Sequence, residues 1–292
     1  MYYIVSTIWF LFSLLPFRVL YLFSDILYFP LYYCIRYRRK IVRKNLLNSF
    51  PEKDLKTIIK IEKQFYSFLC DCIVETMKFF SLSEKSIRKR MTFEGAEEVM
   101  KEMGNDKSCI INMGHYCTWE WLPSIPLHLN SRFFFGQVYQ PLRSKLFDKL
   151  FLKIRSRFRS QNIPRKNILR NIVRLKQENR QFVIGFISDQ TPQGNSDHRW
   201  IDFLNQDTCV FLGAEHIARK TQAVVFYLDV TKIKRGYYSC KFVHLTSNPQ
   251  QLPEYLLTDM YFQHLEKNIQ QNPPYWLWSH NRWKRPRTII GK

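Results

Sequence analysis

The residues with the clearest chemical potential lie in the segment NMGHYCTWEW, residues 112–121. An apolar run at residues 109–111 precedes it and is typical of a buried strand, which Gly114 ends. His115 and Glu120 then lie on either side of a predicted strand–turn–helix junction, where they can share a hydrogen bond. In such a pair the imidazole accepts a proton from a hydroxyl, while the carboxylate fixes the tautomer. The spacing predicts a general base, His115, oriented by Glu120.

Two other interpretations of this segment are weaker. His115 could be a structural histidine at a turn. A zinc site built from Cys109, His115 and Cys117 has no recognised ligand spacing, so no metal is expected. The chain also contains no GxxxxGK[ST] loop and no GxSxG elbow, so neither ATP use nor a serine nucleophile is indicated, and no cofactor is predicted. Thr118 is a candidate N-cap for the helix that would carry Glu120.

An alternating series of elements is predicted to position these residues. We expect strands at 109–113, 132–139, 182–188, 223–230 and 237–245, and helices at 54–80, 118–129, 144–160, 167–177 and 211–220. This alternation predicts an α/β fold with a mixed, mostly parallel sheet flanked by helices. Active sites of such sheets lie beyond the C-terminal ends of the strands, so Asp189 and Gln190 are expected near His115. Residues 191–200 are predicted to form an exposed loop, a candidate lid.

Composition narrows the class of protein. A chain of 292 residues is long enough for one catalytic domain, and 45 basic against 24 acidic residues give a net charge of +21. Such a surface favours a polyanionic partner, either nucleic acid or an anionic membrane. Seven scattered cysteines without CxxC spacing indicate a reducing compartment rather than a disulfide framework.

The N-terminus favours the membrane. Residues 1–35 are almost entirely apolar and predict an N-terminal membrane-anchoring helix, as a tilted span, a helical hairpin or an in-plane anchor. A cleaved signal peptide is disfavoured because no basic residue precedes the apolar run. Six of the nine residues at 36–44 are basic, which predicts that this side faces the cytoplasm and anionic headgroups.

Five collinear segments resemble one family. The histidine motif is similar to the HxxxxD/E motif of glycerolipid acyltransferases, and the whole set resembles the lipid A late acyltransferases, the lauroyl and myristoyl transferases of lipopolysaccharide biosynthesis. The other four segments are RKIVRKNL with Phe50-Pro51, QVYQPL at 137–142, Ser188-Asp189-Gln190, and WLWSHNRWK at 276–284. Within the motif, Tyr116-Cys117-Thr118 replaces the family's usual Phe-Gly-Asn.

The resemblance implies a glycerolipid acyltransferase-like fold, with an anchor at 1–35 and a catalytic domain at 36–292. It implies transfer of an acyl chain from acyl carrier protein to a hydroxyl of a lipid A precursor, at the cytoplasmic face of the inner membrane. In that reading the catalytic residues are His115 and Glu120.

Further polar residues are assigned to binding. Arg155 and Arg157 are candidates for phosphate or oxyanion contact, with a solvated helix face as the alternative, and Asp189 and Gln190 are expected to join the site. The candidates for headgroup and membrane binding are Arg38, Arg39, Arg282 and Lys284, with Arg285 and Arg287 beside them. Nonspecific membrane attraction is the alternative reading of that basic group.

Two alternative functions differ in their partners. The same chemistry could serve another acceptor lipid, such as an aminolipid or a glycolipid. A basic nucleic-acid-binding protein is the more distant alternative, but the chain shows no RRM, KH or zinc-finger signature, so no nucleic-acid partner is expected.

Overall fold

The computed structural model describes residues 1–192, 198–285 and 287. A seven-stranded sheet lies at the centre, in the order β1-β9-β8-β2-β5-β3-β4. Its strands are β1 (Met91–Glu94), β2 (Cys109–Met113), β3 (Phe134–Tyr139), β4 (Gln161–Pro164), β5 (Phe182–Ile187), β8 (Val224–Lys234) and β9 (Tyr237–Thr246). Among the described residues of this sheet, only the β8–β9 pair is antiparallel. The prediction of a mixed, mostly parallel sheet is confirmed, although the short edge strands β1 and β4 were not foreseen.

Ten α-helices within the described residues surround the sheet. They are α1 (Tyr2–Leu14), α2 (Phe17–Phe29), α3 (Arg39–Ser49), α4 (Leu55–Phe79), α5 (Glu84–Arg90), α6 (Ala96–Met103), α7 (Lys145–Arg155), α8 (Ile168–Gln177), α9 (Gly213–Thr221) and α10 (Leu256–Gln271). A π-helical turn, Pro30–Cys34, continues α2, and 3₁₀ turns cover Arg157–Arg159, Arg165–Asn167 and Pro273–Tyr275. Every residue of β2 is buried, which explains the apolar run over its first three residues, 109–111.

The segment after the histidine is not the regular helix that was expected. Trp119–Leu127 forms a 3₁₀-helix, because Pro123 and Pro126 lack the N–H groups that an α-helix would use. Thr118 precedes it without a capping hydrogen bond, and its buried Oγ1 has no partner among the described residues. Thr118 therefore occupies the predicted N-cap position, but its side chain does not cap the helix.

A two-stranded hairpin, β6 (His198–Phe203) with β7 (Gln206–Phe211), takes the place of part of the predicted loop. Residues 198–200 are strand rather than lid, and residues 193–197 of the predicted lid lie outside the described part of the chain. Leu204 and Asn205 connect the strands with φ of 54° and 59°, the tight left-handed turn of a two-residue hairpin loop.

The apolar N-terminus forms two helices instead of one. Tyr21 of α2 donates a hydrogen bond to Glu75 of α4 (2.8 Å), and Ser24 donates to Asp71 (2.7 Å), so α2 is fixed along α4 by buried polar contacts. Within the described chain, no single helix has the length and apolar composition needed to cross a membrane. Only α1 taken together with α2 and its π-helical turn meets that criterion, and this pair is bent by 115°.

Candidate active site

Strand register brings His115 next to Asp189. The neighbouring parallel strands β2 and β5 pair Met113 with Ile187, and each of the two polar residues follows two positions later. The backbone N–H of His115 donates to Oδ2 of Asp189 (2.9 Å), and the His115 Nδ1 atom lies 2.6 Å from Oδ1. The two C-terminal strand ends therefore build one polar site, as the sequence predicted.

The imidazole is oriented by Asp189, not by Glu120. With Nδ1–H bound to this carboxylate, Nε2 is left as the acceptor nitrogen, and the side-chain amide of Gln190 donates to it at 3.2 Å. The expected hydrogen bond between His115 and Glu120 is not found, because Glu120 is engaged elsewhere. The assignment of Glu120 as the residue that orients His115 is corrected accordingly.

Asp189 is buried and held as a carboxylate. Its side chain is 2% exposed and accepts a further hydrogen bond from Nε1 of Trp276 (2.8 Å). Burial alone would raise the pKa of Asp189, but the charge of His115 and the hydrogen bonds from His115 and Trp276 lower it to about 2. A permanent negative charge behind Nδ1 favours the imidazolium that forms when His115 accepts a proton.

Glu120 forms a two-pronged ion pair with Arg155. Nε of Arg155 donates to Oε2 (2.8 Å) and Nη2 donates to Oε1 (2.5 Å), while Nε1 of Trp119 also donates to Oε1 (3.2 Å). Burial would lower the pKa of Arg155, but the Glu120 carboxylate raises it above its ordinary value. Nη1 takes no part in this pair, so the N–H groups at that edge of the guanidinium can donate to a ligand.

A cavity of about 470 Å³ begins at these side chains. His115, Glu120, Arg155 and Gln190 line its polar end, and Arg143 and Arg165 also line it. The remaining walls are mostly apolar and come from the sheet and the 3₁₀-helix, including Ile111, Leu122, Ile125, Phe135 and Val183. The shape and lining suit an apolar chain with a reactive, polar end beside His115.

Arg157 does not line this cavity. Its guanidinium donates to the backbone carbonyls of Phe79 and Leu82, the second at 2.7 Å, just beyond the C-terminus of α4. Burial lowers the pKa of Arg157. Carbonyls at a helix C-terminus lack intrahelical partners, so this arginine stabilises the end of α4 rather than a bound phosphate.

Two of the basic residues assigned to headgroup binding are engaged inside the fold. Arg39 donates to the fully buried Glu62 (2.9 Å), and its neighbour Arg43 binds the same carboxylate. The guanidinium of Arg282 is 1% exposed and donates to the carbonyl of Cys209 (2.7 Å). Burial lowers the pKa of Arg282 to about 10, and its Nε and Nη1 atoms have no partner among the described residues. Arg282 is therefore not placed to meet a headgroup, whereas Arg39 is paired inside the fold but keeps 32% of its side chain exposed.

Other members of that basic set remain exposed. Arg38 keeps an exposed side chain while donating to the carbonyl of Ser279 (3.1 Å), and Lys284 is exposed. Arg287 forms a surface ion pair with Asp207 at 3.6 Å, and Arg285 is half-buried. These positions are compatible with an anionic surface.

The unusual residues inside the motif have packing roles. The hydroxyl of Tyr116 donates to the carbonyl of Asn268 on α10 (3.0 Å), and Cys117 is fully buried with its thiol against the carbonyl of Val230 (3.6 Å). Burial raises the pKa of the Cys117 thiol well above its usual range. Within the described residues, no group of three or more His, Cys, Asp or Glu is placed to hold a metal.

Three residues of the site were not predicted from the sequence. Trp276 was given no role beyond its place in the WLWSHNRWK segment, whereas its indole N–H donates to Asp189. Arg143 and Arg165 were not singled out, although both line the cavity. Their positions could have indicated a role in the site, because Arg143 directly follows the QVYQPL segment and Arg165 directly follows β4. Residues that follow the C-terminal ends of strands are expected near the active site of such a sheet.

The model of the bacterial lipid A biosynthesis acyltransferase family matches residues 1–285. The chain therefore belongs to this family and is an acyltransferase, which confirms the resemblance drawn from the sequence motifs. None of the curated proteins matches the sequence.

Proposed function

We propose that this protein transfers a fatty acyl chain from the thioester of acyl carrier protein to a hydroxyl of a lipid A precursor, with His115 as general base. The observation that carries the proposal is the position of His115. Its Nε2 edge meets the polar end of a largely apolar cavity, while Nδ1 is bound to the buried Asp189. An acyl chain in this cavity would place its thioester carbonyl beside the imidazole.

The chemistry needs no covalent enzyme intermediate, because a thioester is already activated. The acceptor hydroxyl takes the place of the Gln190 amide and gives its proton to Nε2 of His115 as its oxygen attacks the thioester carbon. Collapse of the tetrahedral intermediate breaks the carbon–sulfur bond, and the imidazolium returns the proton to the departing thiolate. Asp189 stays ionised throughout and stabilises the imidazolium.

Glu120 acts through Arg155 in this proposal. The carboxylate fixes the guanidinium at two atoms. Nη1 is therefore already in position to donate to the developing oxyanion or to a substrate phosphate, and no side-chain entropy is lost during the reaction. Arg143 and Arg165 add positive charge to the lining, which suits an acidic carrier protein or a phosphorylated lipid.

The N-terminal helices attach the enzyme to the inner membrane, with the catalytic domain on the cytoplasmic face. Large apolar side chains on both helices are exposed, among them Ile4, Ile8, Leu11, Leu22, Ile26 and Phe29. Arg36, Arg38, Lys40 and Lys44 follow on the exposed surface. A bent pair of helices with this composition favours an anchor lying in the interface over a straight span, with the basic residues at anionic headgroups.

The test is a transfer assay with the purified full chain, acyl carrier protein thioester and a lipid A precursor, with the product weighed by mass spectrometry. We expect the precursor to gain one acyl mass, and His115→Ala to abolish the gain. His244→Ala, which removes a histidine bound to Ser247 at the far edge of the sheet, serves as the matched control. Equal product from the His115→Ala enzyme would refute the proposed base.

An aminolipid or a glycolipid remains the alternative acceptor, because the same base would serve any lipid hydroxyl. Parallel transfer assays with an aminolipid, a glycolipid and the lipid A precursor distinguish these acceptors. Acylation of one of them in preference to the lipid A precursor would reassign the acceptor without changing the role of His115.

A further inference from the structure

Alternate residues of β5 form the floor of the cavity. Val183, Gly185 and Ile187 all line it, because side chains alternate between the faces of a strand and these three share one face. His115 lies beyond the Ile187 end of this row, next to Asp189. The cavity therefore runs from the base back along the strand towards Val183, over about 13 Å at ~3.3 Å per residue.

The lack of a side chain at Gly185 leaves room in the middle of the floor, part of which the end of the Met113 side chain takes up. A Cβ at this position would stand 2.9 Å from Cε of Met113, the side chain on the neighbouring strand β2 that lines the same cavity. The other two floor positions of β5 carry branched side chains. Glycine inside a strand weakens it, and is typical of places where a ligand must approach the backbone closely.

Phe135 closes the far end. It is paired with Val183 across β3 and β5, it is 5% exposed, and it lines the cavity beside that residue. Phe135 also lines a second, more open depression of about 710 Å³ at the β4 edge, and Tyr139 and Ser160 are shared between the two spaces in the same way. The phenyl ring is thus part of the wall between the end of the cavity and a further space behind it.

We propose that Gly185 and Phe135 together determine the length of the acyl chain that this enzyme accepts. Gly185 lets the chain pass over the middle of the sheet, and Phe135 stops it at the end. The inference rests on the proposed acyl transfer, since it concerns the acyl chain seated in that cavity. Substitutions at the two positions should shift the length of the accepted acyl chain in opposite directions, which a general loss of stability would not produce.

The experiment supplies the enzyme with an equimolar mixture of saturated even-numbered acyl thioesters and measures the mass distribution of the acylated product. Gly185→Leu is expected to lower the share of the longest accepted chain at least about tenfold relative to shorter ones, because even one methylene in an apolar pocket discriminates by that much. Phe135→Ala is expected to move the distribution to longer chains by joining the cavity to the space behind it. Gly185→Ala, which improves strand propensity, replaces Gly185→Leu if the larger side chain prevents folding.

Ile184→Val is the matched control. Ile184 directly precedes Gly185 on β5 and is fully buried, but its side chain lies on the opposite face of the strand and is not part of the cavity lining. It should lower the melting temperature and keep the wild-type chain-length distribution. A wild-type distribution in a folded Gly185→Leu or Phe135→Ala enzyme overturns the proposal.

A second readout separates this proposal from the proposed reaction. The rise in melting temperature caused by free fatty acids of graded length reports occupancy of the cavity without turnover. The fatty-acid length that gives the largest rise in melting temperature should become shorter in Gly185→Leu and longer in Phe135→Ala. If the enzyme transfers no acyl chain but these shifts occur, the reaction fails and the length assignment stands. If transfer occurs but neither readout shifts, the length assignment alone fails.

Discussion

Nδ1 of His115 lies 2.6 Å from Oδ1 of Asp189, a contact between residues 74 positions apart in the chain. The same carboxylate binds the backbone N–H of His115 and the indole of Trp276, so it is fixed from three directions. A carboxylate held in this way determines which imidazole nitrogen carries the proton. It is the feature of the site from which the reaction chemistry follows.

We expect Asp189→Asn to lower kcat by about two to four orders of magnitude while leaving KM for the thioester nearly unchanged. The amide keeps the shape of the carboxylate but loses its charge, so the imidazolium is no longer stabilised and the wrong tautomer becomes accessible. Steady-state kinetics on the folded variant measure the effect. The exposed Asp202→Asn is the control, and wild-type kcat in the Asp189→Asn enzyme would contradict the assignment.

Glu120 and Arg155 should behave as one unit. Removing either partner leaves the other partly buried and uncompensated, so each of Glu120→Gln and Arg155→Met is expected to reduce kcat/KM strongly. The double variant should lose less than the sum of the two, with a coupling energy of at least about 1 kcal/mol. A double-mutant cycle on kcat/KM gives this number directly. Strict additivity would mean that the ion pair does not position Arg155 for the reaction.

The central strands were predictable because the pattern that identifies a strand lies within a few consecutive residues. β2 and β5 read as short apolar runs bounded by polar residues, and the structure confirms both. The partner of His115 was not predictable in the same way. Glu120 is five residues from His115 in the chain, whereas Asp189 approaches His115 only because β2 and β5 are paired in this register. The order of the strands in the sheet could not be deduced from the sequence pattern.

Two local errors have equally specific causes. Pro123 and Pro126 were counted within an α-helix, although each lacks the N–H that would continue it, and the segment is 3₁₀. The β6–β7 hairpin was missed because its turn residues, Leu204 and Asn205, include no glycine at positions with positive φ. The first cause is local and could have been read from the two prolines, whereas in the hairpin the tertiary packing selects a backbone that the residue pattern alone does not favour.

Arg39 and Lys44 should separate folding from membrane binding within the basic segment. Arg39 is paired with the fully buried Glu62, so Arg39→Ala should lower the free energy of unfolding by about 1–3 kcal/mol. Lys44 is exposed, so Lys44→Ala should leave stability unchanged within about 0.5 kcal/mol and weaken binding to anionic vesicles by about 1 kcal/mol. Urea unfolding and vesicle flotation measure the two effects. Equal loss of vesicle binding in both variants, at unchanged stability, would argue that Arg39 also reaches the headgroups.

The contribution of the buried Glu75 to folding stability should fall as the pH rises. Glu75 of α4 accepts hydrogen bonds from the hydroxyls of Tyr21 on α2 and Tyr238 on β9, both at 2.8 Å. Burial raises the pKa of Glu75 to about 7, and these hydrogen bonds offset the effect only in part. Because the folded state binds the proton more tightly than the unfolded state, this stabilisation is complete below pH ~4.5 and is lost as the pH rises through about 7.

Unfolding free energies measured from pH 5 to pH 8 test this relation. Relative to Glu75→Gln, whose side chain cannot ionise, the wild-type chain should lose on the order of 3 kcal/mol over the interval. Burial lowers the pKa of His128 and His280 to about 4, and these two groups add stability as the pH rises in both proteins, so the difference between the two curves isolates Glu75. The exposed Glu97→Gln is the control and should keep the wild-type slope. The lowered pKa of Asp189 does not interfere, since its contribution is lost only as the pH falls from about 4 towards 2. A wild-type slope in Glu75→Gln would mean that a group other than Glu75 titrates.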